Sequence, residues 1–369
     1  MTTANPHNER LAAAQRELRQ RSAGLLAVGL SSSMQYLTGF TDEPGERLLV
    51  LLVPRDGEPV FVVPELYADQ VRAATGLEGF VWADQEGAEG ALASAVERFR
   101  RLPGAILVED CLWAGFLLAC QKAWPKREFA SATPVLSELR MRKDVREVEL
   151  LRRAGAIADE AFRGVVRTPF VGRTELEVAA VLMDLMRGAG ADDVAFAPLV
   201  ASGPAAALPH HRAGQRHIEP GDVVILDFGC RTGGYRSDIS RTVSCGAPSR
   251  DFAAAHEAVR EAQQRAVDAV RPGVPAEEID RAARDALTAR GFGDRFIHRT
   301  GHGVGLDIHE PPYIVAGNQV SLEPGMAFSV EPGVYFPGRF GIRIEDVVVV
   351  TESGSTPMTT VTHELTIVH

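Results

Sequence analysis

Two aspartates stand 11 residues apart in Leu226-Asp227-Phe228-Gly229-Cys230-Arg231-Thr232-Gly233-Gly234-Tyr235-Arg236-Ser237-Asp238, on either side of a glycine-rich turn. A hairpin there lets the two carboxylates converge. Taken singly, each reads as a turn or strand-end carboxylate facing solvent. Asp227, however, ends the apolar run Val223-Val224-Ile225-Leu226, where an unpaired buried charge costs several kcal/mol or more. A cation removes that penalty. Further candidate ligands are His302 in Gly301-His302-Gly303-Val304-Gly305, Glu331 in Val330-Glu331-Pro332-Gly333 and Glu345 in Ile344-Glu345-Asp346, each following or lying inside an apolar run. Alone, such a histidine is ordinarily a hydrogen-bonded structural residue, and such a glutamate a solvated strand end. Together, four carboxylates and one imidazole form a set too costly to bury without metal. One divalent ion leaves excess negative charge, whereas two nearly neutralise the set, with bridging carboxylates holding them roughly 3.5 to 4 Å apart as in two-metal hydrolytic sites. Many oxygens and a single imidazole suit manganese, with cobalt or zinc as alternatives.

The elements that must carry these residues are strands at 222–227, 239–244, 327–330 and 342–351, set among helical stretches. A charged amphipathic stretch runs from Met141 through Ala161, with Val148, Leu150, Leu151, Ala154 and Ile157 at helical spacing. Thr174-Glu175-Leu176-Glu177 is a capping box opening a helix to Met186, stopped at Gly188. Two more helices, about 251–271 and 276–290, are separated by the breaker Pro272-Gly273-Val274-Pro275. Helices followed by strands bearing aspartates, then helices followed by strands bearing glutamates, suggest a pseudo-repeat with one site between its halves. Upstream, a helix at 8–22, a strand at 24–30 and a hairpin at 47–63, turning on Arg55-Asp56-Gly57-Glu58, begin an α/β pattern. The domain boundary is placed near residue 140, dividing the chain into 1–140 and 141–369.

Composition excludes several classes. At 369 residues, two domains each have enough chain for a core. A net charge of −10 disfavours nucleic acid or an anionic membrane surface as the partner. The longest uncharged apolar run, Cys111 to Cys120, is half of the roughly 20 residues that span a bilayer. Charged residues from Glu9 to Arg21 leave no apolar signal-peptide core there. The four cysteines form no CxxC and read as small buried apolar residues in a reducing cytoplasm.

From about residue 140 onward the ordered set Asp227, Asp238, His302, Glu331 and Glu345, with steps of 11 between the aspartates, 29 from histidine to glutamate and 14 between the glutamates, resembles the "pita-bread" metallopeptidases. That group includes methionine aminopeptidase, Xaa-Pro aminopeptidase and Xaa-Pro dipeptidase (prolidase). The resemblance implies an α/β N-terminal creatinase-like domain with a mixed sheet and an α+β pita-bread catalytic domain with an internal pseudo-twofold. It implies that Asp227 chelates one metal, that Asp238 and Glu345 bridge both, and that His302 and Glu331 complete the other. It also implies that Glu331 passes a proton to the leaving nitrogen. By motif, His210 resembles the histidine that hydrogen-bonds substrate, with its neighbour His211 the competing assignment. His309, seven residues after His302, resembles the second active-site histidine, and Arg343, two before Glu345, the arginine supporting the ligand shell or substrate.

The N-terminal domain favours proline-directed chemistry over methionine aminopeptidase, because the Xaa-Pro enzymes carry a domain of this size. An X-Pro bond is a tertiary amide with a locked ring, so a dedicated site is reasonable. A dipeptidase must also recognise a free carboxylate. In Gly39-Phe40-Thr41-Asp42-Glu43-Pro44-Gly45-Glu46-Arg47, Asp42 could meet the substrate ammonium and Arg47 the carboxylate, with a solvated loop as the competing reading. By resemblance such a loop serves a partner subunit, which implies a homodimer. The expectation is a cytoplasmic prolidase acting on proline-containing dipeptides, with Xaa-Pro aminopeptidase action on longer peptides as the alternative. A non-catalytic binding module or a creatinase-type hydrolase would not need the intact ligand set.

Overall fold

The computed structural model describes residues 6–369, and the chain divides into two compact units, Met1–Arg140 and Met141–His369. In the first, six strands pair in the order Gly79–Trp82, Val60–Pro64, Val50–Pro54, Leu25–Val28, Ile106–Val108, Phe129–Ser131. The central three are antiparallel and the flanking pairings parallel, so the sheet is mixed. The hairpin starts at Val50 rather than Arg47 and turns through Gly57, whose φ of +104° a side chain would resist. Leu25, Val50, Val62, Val108 and Trp82 fill the core under this sheet.

In the second unit seven strands follow the path Glu310–Ile314, Gly301–Gly303, Ala327–Val330, Glu345–Val350, Ile239–Cys245, Val223–Phe228, Leu199–Ser202, and two short strands join it alongside. Strand periodicity splits the run at 223–228 between two cores. Val223 and Ile225 pack with the helices Arg250–Ala269 and Ala276–Ala289, whereas Val224, Leu226 and Phe228 pack with the helices Val145–Val165 and Glu175–Gly188. Each half of the sequence therefore supplies a helix pair and strands that carry acids.

Three local outcomes differ from the sequence pattern. The helix expected from Met141 begins at Val145, because Asp144 accepts from the amides of Arg146 and Glu147 while Glu147 returns the bond to Asp144 N at 2.7 Å. Residues 142 and 143 are instead committed to backbone pairing, Arg142 with Met326 and Lys143 N with Gly325 O. The run expected over 342–351 is interrupted at Ile344, where Phe340–Arg343 leaves the large sheet to pair with Gly333–Phe336. Cys111 is exposed, whereas the other three cysteines are buried. Among the described residues no helix is long and apolar enough to cross a membrane.

Candidate metal centre and active site

Strand register creates the site. Asp227 faces Ser240, and Ser240 faces Glu345, so one row across three neighbouring strands carries all three residues. Asp238 immediately precedes the middle strand, Glu331 follows Ala327–Val330, and His302 is the centre of Gly301–Gly303. Ligand atoms of Asp238, His302 and Glu345 lie within 4.8 Å of one another, and all three residues are buried. His302 Nε2 is 3.2 Å from Glu331 Oε1 and 3.8 Å from Asp238 Oδ2. Arg343 Nη2 donates to Asp227 Oδ2 at 2.5 Å, and Ser240 Oγ donates to Glu345 Oε2 at 2.7 Å. The other oxygens, Asp227 Oδ1, Asp238 Oδ1 and Glu345 Oε1, are buried with no hydrogen-bond partner.

Such orphans are costly, because each has lost water and gained nothing. Burial, then the neighbouring carboxylates, pushes the Asp238 and Glu345 carboxyls well above their ordinary range. Divalent cations would satisfy the orphaned oxygens and cancel the mutual repulsion, so the donor set fits them. Arg343 supplies the only fixed positive charge against Asp227 among the ion pairs of the described residues.

All five ligand candidates line one cavity of about 410 Å³, together with His210, His211, His309 and Arg343. His211 Nε2 lies 2.7 Å from Glu175 Oε2, and that buried carboxylate also accepts from Ser202 and Gly214. This anchors His211 and leaves the exposed His210 facing the cavity. The His309 ring stands edge-on to His302, 4.1 Å between centroids, and burial lowers its pKa to about 4. Asp42 and Arg47 belong to the N-terminal unit. There Asp42 is exposed, and Arg47 pairs with Asp84 at 2.9 Å and Glu46 at 2.8 Å.

The sequence reading did not single out His298, Arg299, Tyr335 or Ser240. His298 Nδ1 faces Arg299 O at 2.7 Å and must donate, so its Nε2 accepts from Tyr335 Oη at 2.9 Å. Tyr335 Oη in turn accepts from Arg343 Nη1 at 2.9 Å, and Arg343 Nε donates to Ser240 Oγ at 3.0 Å. This chain of bonds orients the guanidinium on Asp227. Arg299 lines the cavity with its guanidinium over the ring of Tyr313, 4.6 Å from the centroid, and has no carboxylate among the ion pairs of the described residues. The available signals were polar residues inside strand runs, as Ser240 in Ile239–Cys245 and Tyr335 in Gly333–Phe336.

Residues 149–352, more than half of the chain, match metallopeptidase family M24, and residues 10–142 match the creatinase/prolidase N-terminal domain. The chain belongs to metallopeptidase family M24, and the fold is the pita-bread catalytic domain preceded by a creatinase-like α/β domain. It is 43% identical to the probable dipeptidase PepE of Mycobacterium tuberculosis, covering 94% of this chain and 93% of that one. It is 36% identical to the Xaa-Pro dipeptidase of Lactobacillus helveticus, covering 91% of this chain and 92% of that one. The structure of the prolidase from Thermococcus sibiricus superposes with a TM-score of 0.95 at 37% identity, covering 99% of this chain and 100% of that one.

Proposed function

We propose that this metallopeptidase is an Xaa-Pro dipeptidase that holds two divalent cations, manganese in preference to cobalt or zinc, and hydrolyses proline-containing dipeptides. The observation that carries the reading is the set of three orphaned carboxylate oxygens on residues that line one cavity with Arg299. The similarity to proteins named dipeptidase and prolidase supports the substrate class.

In this reading Asp227, Asp238, His302, Glu331 and Glu345 would hold the two cations. A bound pair of cations supplies a water acidic enough to attack at neutral pH and polarises the scissile carbonyl. The protein's own groups do the rest. Arg343 keeps one oxygen of Asp227 occupied and so turns the other inward. His210 and His309 hydrogen-bond the substrate beside the scissile bond and steady the developing oxyanion. Glu331 takes up the water's proton and passes it to the proline nitrogen, which has no hydrogen of its own and leaves only when protonated. Phe196, Leu199 and Ile308 offer an apolar wall for the pyrrolidine ring, and Arg299 offers the cation that a free proline carboxylate requires.

The same reading makes the protein a cytoplasmic homodimer in which Asp42 and Arg47 contact substrate; sedimentation of the purified protein and turnover of Arg47→Ala test this. The primary experiment strips the protein of metal, re-supplies manganese, and compares Ala-Pro with Ala-Pro-Ala. Cleavage of the dipeptide alone is expected. Efficient tripeptide cleavage moves the assignment to Xaa-Pro aminopeptidase, and silence on both removes proline-directed hydrolysis.

A further inference from the structure

The turn that delivers His309 to the cavity has backbone bonds at its start, Val304 N to Ala327 O at 3.1 Å and Gly305 N to Asp307 O at 3.0 Å, and its far end is held by side chains. Gly301–Gly303 pairs with Glu310–Ile314, but the register shifts between His302 and Gly303: His302 faces Tyr313, while Gly303 faces Glu310. Beyond that irregularity residues 304–309 lie between the two strands, outside their ladder. The next residue, Glu310, does not line the cavity. Its carboxylate, 5% exposed, turns away to Lys143 Nζ, 1% exposed, at 2.7 Å.

Both ends of this pair are built in. Lys143 is fixed by its backbone, with N donating to Gly325 O at 2.8 Å, and Nζ also reaches Met141 O at 3.4 Å. The other Glu310 oxygen accepts from Asp307 N at 3.4 Å, inside the turn itself. Glu310 Oε1 lies 2.5 Å from where a side chain on Gly305 would begin, so the carboxylate packs directly on the turn and a side chain there would push it off Lys143. Arg236 closes the opposite side, its N donating to Gly305 O at 3.0 Å and its Nε to Leu306 O at 2.9 Å.

A buried ion pair is weak evidence for stability, because apolar residues of similar volume often serve as well. Its geometric consequence is stronger. We propose that Lys143 and Glu310 are positioning residues for the hydrolytic reaction, a buried clamp that fixes the His309 ring at the cavity wall by tying its turn to the segment ahead of the helix Val145–Val165. The clamp rests on the assignment of His309 to the substrate given above. Neither Lys143 nor Glu310 lines the cavity, and they act through the placement of one imidazole.

The test is a double-mutant cycle on manganese-loaded protein with Ala-Pro, with thermal midpoint and bound-metal stoichiometry measured alongside. Lys143→Met alone strands a buried carboxylate, so the informative variant is Lys143→Met/Glu310→Leu, which removes both charges. Misplacement of a catalytic group by about 1 Å costs on the order of 100-fold, so kcat of the double variant is expected to fall about 10- to 100-fold, with KM changed less than about threefold. Its thermal midpoint and metal content should match the parent. On a His309→Ala background the same pair of substitutions should change kcat less than about twofold, because the residue it positions is gone. Parental kcat in the double variant, or an undiminished loss on the His309→Ala background, overturns the clamp. If His309→Ala itself keeps parental kcat, the assignment of His309 fails first and takes the clamp with it.

Discussion

Glu345 and Asp346 are consecutive, both 1% exposed, and stand at the start of the same strand, yet they belong to two different regions. On the front, Glu345 keeps one oxygen on Ser240 and leaves the other unpartnered among Asp227, Asp238 and Glu331, which with burial drive its carboxyl well above the ordinary range. On the back, Asp346 accepts from Arg241 at 2.7 Å, Thr359 at 2.5 Å, Gln263 at 3.0 Å and His363 at 2.5 Å. Burial pushes its carboxyl up, but Arg241 and His363 outweigh that and hold it below the ordinary value. Equal burial thus produces opposite electrostatic states. The difference is donor supply: the back face is saturated by side chains of the same chain, whereas the front is left short of donors and can be completed from outside by cations.

Four measurements break or sharpen this contrast. The largest effect belongs to the front. Glu345→Gln or Asp238→Ala should abolish manganese-dependent turnover, a loss of about 1000-fold or more if two-cation catalysis is lost, and mass spectrometry should find less bound metal. In the metal-free protein the same Glu345→Gln change should raise the thermal midpoint, because it removes a repelled charge; a lower midpoint would show that Glu345 is structural like its neighbour.

On the back, Asp346→Ala strands Arg241, whose side chain is 4% exposed. Removing one partner of a buried pair costs about 3 to 5 kcal/mol, read as a lower urea midpoint with metal present or absent.

The third effect is acid sensitivity on the same side. Burial lowers the pKa of His256 from 6.5 to about 4, with the nearby Arg241 and His363 contributing in the same direction. Above 6.5 the residue is neutral folded or unfolded and adds no pH dependence. As pH falls from 6.5 towards 4 the unfolded chain takes up a proton that the folded one refuses, so stability declines by on the order of 3 kcal/mol across that window. His256→Phe should flatten the decline in a series of urea titrations from pH 7 to 4. An unchanged slope would place the acid sensitivity elsewhere.

The smallest effect is expected at Ser240, which donates to Glu345 and accepts from Arg343 at the centre of the front row. Ser240→Ala should weaken manganese binding about 10- to 100-fold, as for other residues that orient ligands, while Ser240→Thr should restore it. Equal loss in both would mean that packing, rather than the hydroxyl, matters there.

The amino-acid sequence determined the features whose signals are local. Asp56-Gly57 marks the hairpin turn, Thr174 and Glu177 make their capping box, and carboxylates set at the ends of runs such as Val223-Val224-Ile225-Leu226 stand out as chemistry because an apolar strand has no cheap place for them. Other features arise only when distant segments meet. Asp227, Ser240 and Glu345 share a row because of strand register, and a one-residue slip would turn Ser240 away. Glu175 separates the roles of His211 and His210 from 36 residues away, and Lys143 meets Glu310 across 167. The same holds for the start of the first helix of the second unit, which the spacing placed at Met141 and which the pairing of Arg142 with Met326 and Lys143 with Gly325 delays to Val145. Side-chain types and their periodicity are written along the chain, but which donor reaches which acceptor depends on register and packing, and those were decided by the tertiary structure.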